Sequence, residues 1–238
     1  MKKVLVIGCG WLGLPLALKL KDLGYSVSGT TRNEERQKAL VSRDIPFFTE
    51  AEIPPNLEFD AVVCTLTPPK NELDRAIHAK IASQARGISQ FIYTSSISIY
   101  PDIEGTVTEV DEDETSPIYA LENIYLQALP QAVILRLGGL HGFNRHPARF
   151  LSGRKNVAKP LAPINLVSGL EVISAIELVL RKDINGQIIN IVSDDHRSRI
   201  EYYSTVCDEL GIPRPEFENT SDGGKLVDNW KWKQLRNM

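Results

Sequence analysis

Gly8-Cys9-Gly10-Trp11-Leu12-Gly13 stands between the apolar run Val4-Leu5-Val6-Ile7 and a stretch with apolar residues at helical spacing, Leu14, Leu16, Ala17, Leu18 and Leu20. The order is strand, glycine turn, helix. In a dinucleotide-binding turn the first glycine permits the tight bend. The second lets the backbone approach a pyrophosphate, and the third lets the helix pack closely on the strand. The helix N-terminus then offers unpaired N–H groups and the positive end of its dipole to phosphate. Gly8, Gly10, Trp11, Leu12 and Gly13 are therefore expected to bind a dinucleotide.

The same segment has two rival readings. Lys2-Lys3 before an uncharged stretch resembles a secretory signal, and Val6-Ile7-Gly8-Cys9 resembles a lipoprotein cleavage box. Too few apolar residues precede Cys9 for a signal's hydrophobic region, and Lys19, Lys21 and Asp22 continue an amphipathic helix. A cytoplasmic protein is expected, and no other apolar run is long enough to span a membrane. The 238 residues carry a net charge of -3, with 42% hydrophobic and 24% charged residues. That balance describes an ordinary globular chain and argues against general nucleic-acid binding. Cys9, Cys64 and Cys207 are odd in number and widely spaced, which suits small buried side chains in a reducing compartment rather than disulfides or zinc.

Strand and helix patterns alternate along the chain. Strands are expected at Val4–Ile7, Tyr25–Thr30, Pro46–Thr49, Ala61–Leu66, Gln90–Thr94, Ala132–Leu137 and Gln187–Val192. Helices are expected at Leu12–Leu23, from Asn33 through Leu40, from Asn71 through Arg86, from Pro117 to Leu129, and at Leu170–Arg181 and Ile200–Leu210. Pro54-Pro55 marks a turn, and Pro68-Pro69 ends a strand. This alternation predicts an α/β fold, a Rossmann-type doubly wound parallel sheet with a small C-terminal substrate lobe. The expected division is a core over 1–143, a substrate-lobe insertion over 144–163, a return to the core over 164–193 and a small lobe over 194–238. Ligands of such sheets sit beyond the carboxyl ends of the strands, which makes Leu66 and Thr67 expected cofactor contacts.

NAD binders hold the ribose 2′-hydroxyl with an Asp or Glu about 20 residues beyond the glycine motif. Here the second strand ends in Gly29-Thr30-Thr31-Arg32, with no carboxylate at its tip. Glu34 and Glu35 fall in the first turn of the next helix, where acids sit for dipole reasons alone. Arg32 with Thr30 or Thr31 can hold a 2′-phosphate by charge-assisted hydrogen bonds. NADP is the expected cofactor and NAD the alternative.

The strand Phe91-Ile92-Tyr93-Thr94-Ser95-Ser96 runs on through Ile97-Ser98-Ile99-Tyr100 and ends in hydroxyls. With the glycine motif, it resembles the extended branch of the short-chain dehydrogenase/reductase superfamily, the epimerases and dehydratases. In that branch the strand reads SSxxVYG. Leu135-Arg136-Leu137-Gly138-Gly139-Leu140-His141-Gly142 is similar to the later RxxxxYG segment, with His141 in place of Tyr. Gly186-Gln187-Ile188-Ile189-Asn190-Ile191 is similar to the GxxYNV strand.

The resemblance implies that Ser96 hydrogen-bonds a substrate oxygen. It implies a Tyr acid/base with a Lys four residues on, which lowers the Tyr pKa and holds the nicotinamide ribose. Tyr119 matches the Tyr, but Asn123 stands where Lys is required. An amide carries no charge to stabilise a tyrosinate. Tyr119 is read either as that acid/base or as a packed aromatic on a helix. His141, Arg145 and Arg149 fall where the resembled family begins its substrate-side insertion. Clustered arginines there suit an anionic substrate such as a nucleotide sugar, or form a solvated basic loop.

His78 is read as a surface residue, and Glu109–Glu114 as a solvated acidic loop with no metal site. Trp230-Lys231-Trp232 is expected to dock on the lobe or on a partner. Two functions remain open. One is an NAD(P)-dependent oxidoreductase or epimerase-like enzyme acting on a small hydroxyl- or carbonyl-bearing substrate. The other is a non-catalytic NADP(H)-sensing or partner-binding module, which Asn123 favours. A homodimer is the expected assembly.

Overall fold

The computed structural model of the chain describes residues 1–49, 53, 58–68 and 71–237. The Pro54-Pro55 turn, and Pro69 of Pro68-Pro69, lie outside the described residues.

The first half alternates as the pattern requires: β1 (Lys3–Ile7), α1 (Gly13–Asp22), β2 (Ser26–Thr30), α2 (Glu34–Val41), β3 (Phe47–Phe48), β4 (Ala61–Cys64), α3 (Glu72–Gln84) and β5 (Gln90–Ser96). There follow β6 (Gly105–Val107), α4 (Pro117–Ala128), β7 (Val133–Leu137), β8 (Gly139–His141), α5 (Pro147–Leu151) and β9 (Leu166–Ser168). The last elements are α6 (Gly169–Arg181), β10 (Ile188–Ile191), α7 (Arg199–Glu209), β11 (Lys225–Val227) and α8 (Trp230–Arg236). Helix starts follow local chemistry: the side chains of Asn33, Asn71, Ser116 and Ser198 each accept a first-turn N–H of their helix. Gly24, at φ +87°, closes α1.

Seven strands form one sheet in the order β10-β7-β5-β4-β1-β2-β3. β1 pairs in parallel with β2 on one side and β4 on the other, and β4 pairs in parallel with β5. The chain runs outward from β1 to β3, then returns across β1 to β4. The crevice at the carboxyl ends of β1, β2 and β4 therefore lies where the winding reverses. Val4–Ile7 and Ala61–Cys64 are fully buried, as strands covered on both faces must be.

The chain divides into two compact units. Unit 1 comprises Met1–Ser96, Glu114–Arg136 and Ile173–Ile189, and unit 2 comprises Ile97–Asp113, Leu137–Val172 and Asn190–Met238. The core of unit 1 packs Leu5, Ile7, Val62, Phe91, Tyr125 and Ile134 with their neighbours. Unit 2 has its own cluster around Ala148, Ile164, Tyr202, Val206 and Cys207. It also holds two small parallel pairs, β6 with β11 and β8 with β9. Three-residue strands show no periodicity, so sequence reading passes over them. It also passes over α5, whose start is capped by the His146 side chain. The aromatic C-terminus docks within unit 2: Trp232 is buried and its indole N–H donates to Glu171 Oε1 at 3.1 Å.

Two expectations are corrected. His78 is 1% exposed rather than on the surface, because α3 turns it inward toward Tyr93 and Tyr125. Glu109 is buried and accepts the Asn190 N–H at 3.0 Å. β10 is an edge strand, and a buried edge N–H needs an acceptor that no neighbouring strand supplies.

Within unit 1, Glu122 of α4 and Arg136 of β7 form a buried pair, each 1% exposed. Arg136 Nη2 lies 2.8 Å from Glu122 Oε2, its Nε lies 3.1 Å from Oε1, and the Ser95 hydroxyl donates to Oε1 at 2.5 Å. Losing one member strands the other's charge in the core. Arg136→Leu should therefore destabilise the fold by about 3–5 kcal/mol in urea unfolding, and the double change with Glu122→Leu should cost less than Arg136→Leu alone.

Candidate functional site

At the end of β1 the main chain turns sharply. Gly8 sits at φ +90°, where a Cβ would come within 2.9 Å of Leu66 Cδ2 and 3.2 Å of Leu66 N. Its N–H donates to the Thr30 hydroxyl at 2.9 Å, and Cys9 N donates to the Thr30 carbonyl at 2.7 Å. The Thr65 hydroxyl donates to the Gly8 carbonyl at 2.7 Å. Gly13 opens α1 directly over this contact: a Cβ there would lie 2.3 Å from Gly8 O and 2.6 Å from Thr65 Oγ1. Gly10 differs, since its nearest neighbours would be Gly8 O at 3.7 Å and Arg36 Nη1 at 3.8 Å. The space above Gly10 is open on the side where a ligand would approach.

Cys9 fills the volume that Gly29 vacates, since a Cβ on Gly29 would lie 2.6 Å from its sulfur. Burial pushes the Cys9 thiol up to about 12, against weaker opposing effects of the Thr30 backbone and Arg36. It is a packing group, not a nucleophile.

A cleft of about 330 Å³ opens here. Gly8, Cys9 and Gly10 form its floor, Thr30 to Asn33 with Arg36 one wall, and Thr65, Leu66 and Thr67 the other. The Thr31 hydroxyl accepts the Asn33 N–H, which fixes the entry to α2. Arg32 and Arg36 are both exposed. Among the described residues, those lining the cleft include two arginines and no carboxylate, and Glu34 and Glu35 do not line it. Of the expected cofactor residues, Gly8, Gly10, Thr31, Arg32, Leu66 and Thr67 come together here. Trp11, Leu12 and Gly13 do not line the cleft; Leu12 is buried and Gly13 works through packing. Arg36 is the residue that sequence reading missed. Arg32 precedes the N-cap Asn33 and Arg36 stands in the first turn of α2, so no local spacing rule pairs them.

The expected catalytic residues lie elsewhere in unit 1. Ser96 is the last residue of β5 and half-buried. Tyr119 stands in the first turn of α4, where its hydroxyl donates to Glu114 Oε1 at 3.5 Å, and Asn123 follows one turn on. In unit 2, His141 ends β8, and its ring lies 6.5 Å from that of His146. Arg145 and Arg149 flank His146 in sequence, and the Arg145 guanidinium lies 5.7 Å from the Phe150 ring centroid. Burial lowers the pKa of both histidines. His146 adds to the effect on His141, and Arg149 adds to that on His146.

Residues 3–114 match the NAD binding domain of 6-phosphogluconate dehydrogenase. Protein YeeZ of Escherichia coli (strain K12) is 34% identical over 247 residues, covering 94% of this chain and 90% of that protein. The solved structure of MoeE5 in complex with UDP-glucose and NAD superposes with a TM-score of 0.78 at 16% identity, over 99% of this chain and 91% of that one. The human epimerase family protein SDR39U1 (isoform2) with NADPH gives 0.74 at 14% identity, over 98% and 93%. The fold is thus the one found in NAD(P)-bound epimerase-type proteins. No helix among the described residues is long and apolar enough to cross a membrane.

The glycine geometry gives a direct test. Gly13→Ala should lower the melting temperature markedly, since the added methyl meets backbone oxygen. Gly10→Ala should leave it within a few degrees, since surface-type changes cost about 0.5 kcal/mol or less. Equal losses for both, read by calorimetry, would show that the packing differs from this arrangement.

Proposed function

This chain belongs to the same family as Escherichia coli protein YeeZ, and we propose that it is an NADP(H)-binding oxidoreductase or epimerase-like enzyme. One observation carries the cofactor choice: among the described residues, the cleft wall at the tip of β2 presents Arg32 and Arg36 and no carboxylate. A ribose 2′-phosphate is a dianion that two guanidinium groups can hold by charge-assisted hydrogen bonds. A 2′-hydroxyl would find no carboxylate partner among those residues. Gly8 permits the tight turn against Leu66, and Gly10 leaves open space on the cleft floor for the pyrophosphate. Leu66 and Thr67 line the facing wall.

When bound, NADPH supplies a hydride from the nicotinamide C4. Ser96 orients the substrate oxygen with its hydroxyl, and Tyr119 or a water molecule moves the proton. Within unit 2, His141, Arg145 and Arg149 suit an anionic group, and a nucleotide sugar is the substrate class favoured by the UDP-glucose bound to MoeE5. All three cysteines are buried and free of disulfides, which suits work in the cytoplasm. We expect a homodimer.

The second reading is a cofactor sensor without turnover. It is favoured by the surroundings of Tyr119: its hydroxyl meets Glu114, and the uncharged Asn123 stands one turn away. A proton-transferring tyrosine needs a nearby cation, and neither residue supplies one.

Calorimetry tests the cofactor. NADPH should bind more tightly than NADH, and Gly10→Val should abolish binding while the protein stays folded. Arg32→Ala should weaken NADPH by ~1.5–3 kcal/mol and leave NADH little changed. Absence of heat with both nucleotides overturns the reading, and equal losses on Arg32→Ala overturn its choice of NADP.

Turnover separates the two functions. With a carbonyl panel and NADPH, the enzyme reading expects Tyr119→Phe to erase activity while NADPH affinity is kept. It also expects Asn123→Lys to raise activity and move its optimum to lower pH. If neither change creates or removes turnover, the sensor reading stands.

A further inference from the structure

A buried hydrogen-bond chain ends on the wall of the cleft. Cys64, the last residue of β4, lies with its sulfur 3.4 Å from the Tyr125 hydroxyl of α4. That hydroxyl is 2.6 Å from His78 Nδ1 on α3, and His78 Nε2 is 3.3 Å from the Thr67 carbonyl. A carbonyl only accepts, so Nε2 carries the proton. A neutral imidazole then presents Nδ1 as an acceptor, and the Tyr125 hydroxyl donates to it. The Tyr125 oxygen is left to accept from the Cys64 thiol. Each link has one assignment.

Both ends of this chain meet the same piece of backbone. His78 holds the Thr67 carbonyl, and Cys64 stands two residues before Leu66 at the end of β4. Leu66 and Thr67 line the cleft. The chain is sealed in the core: Cys64 and Tyr125 are fully buried and His78 is 1% exposed. The Tyr93 ring packs 4.7 Å from Tyr125 and edge-on to His78 at 5.9 Å. Among the described residues the buried Tyr93 hydroxyl has no hydrogen-bond partner, so it competes for no link.

We propose that the Cys64–Tyr125–His78 chain is a positioning device for the dinucleotide. It fixes the Leu66–Thr67 backbone from inside the core and thereby sets the affinity of the cleft, and it does so with His78 neutral. His78 is a positioning residue, since it does not line the cleft. The inference rests on the dinucleotide reading above.

Protonation of His78 breaks the chain's polarity. Nδ1 would then point a hydrogen at the Tyr125 hydroxyl, which would have to turn its own hydrogen toward the Cys64 thiol. The titratable groups facing His78 are Asp74 on its own helix, Tyr125 from α4, Tyr93 from β5, and Cys64 at the far end of the chain from β4. Burial holds the His78 pKa below its ordinary value of 6.5, against weaker opposing effects of Thr67 and Asp74. The folded value lies below the unfolded one, so the neutral arrangement contributes fully above 6.5 and its contribution shrinks as pH falls below that.

The test is NADP⁺ binding to the intact protein by calorimetry at about pH 7.5, where an ordinary histidine is neutral. His78→Phe should weaken binding about tenfold, the effect of roughly one net hydrogen bond. His78→Gln, whose amide N–H can reach the Thr67 carbonyl, should recover most of that loss. A folded His78→Phe that binds like the wild type overturns the inference, as does a folded His78→Gln that recovers none of the loss. If His78→Phe does not fold, Tyr125→Phe carries the test: it removes the donor to Nδ1, weaker binding supports the inference, and unchanged binding overturns it. A wild type that binds no dinucleotide overturns the proposed function itself. That outcome is read before any variant is made, so the two failures are distinct.

Discussion

Where β1 ends, a strand, a helix and a loop approach one another more closely than side chains permit. The Gly8 carbonyl receives the Thr65 hydroxyl from the strand on one side, while its N–H is held by Thr30 from the strand on the other. α1 starts at Gly13, where even a methyl group would overlap the same carbonyl. The order of the central strands follows from this contact, because β4 and β2 both bond to the residues that leave β1. The cleft exists for the same reason. The backbone that turns at Gly8 and Gly10 leaves a hollow floored by main chain, with walls from the loops after β2 and β4.

The electrostatics of that hollow come from short-range accidents of sequence made meaningful by the turn. Arg32 and Arg36 are exposed and unremarkable on a linear map. They become a cationic wall because Thr31 and Asn33 fix the entry to α2, and because the strand tip lacks a carboxylate. Opposite them the wall is Thr65, Leu66 and Thr67, and its support lies deeper. His78, Tyr125 and Cys64 share out their hydrogens so that no donor in that chain is wasted in an apolar core. A core can accept polar atoms at this depth only when they satisfy one another.

A second buried polar group has a different task. Glu122, Arg136 and Ser95 tie α4 to β7 and to the end of β5. Ser96 follows Ser95, and Tyr119 lies one turn before Glu122, so the hydroxyl-bearing strand end and the first turn of α4 are held in one frame. Sequence reading set Arg136 within the RxxxxYG-like segment and passed over Glu122 altogether. A glutamate in a helix has the same symbol whether it faces water or an arginine in the core.

By itself the sequence determined the order of strands and helices, the glycine turn and the class of ligand it suits. These rest on local rules: backbone conformations open only to glycine, side-chain caps, and apolar spacing. It also set Arg32 at the tip of β2, where the structure lines the cleft with it, because a strand end is a local feature. Only the tertiary structure decided that Arg36 stands beside Arg32 in the cleft, that Trp11 and Leu12 do not line it, and that Gly13 serves packing. It alone turned His78 and Glu109 inward, and it alone formed the three-residue strand pairs of unit 2. The physical reason is the same in each case. Burial of a polar residue depends on a partner far along the chain, as Tyr125 is for His78 and Asn190 for Glu109, and no local pattern names that partner.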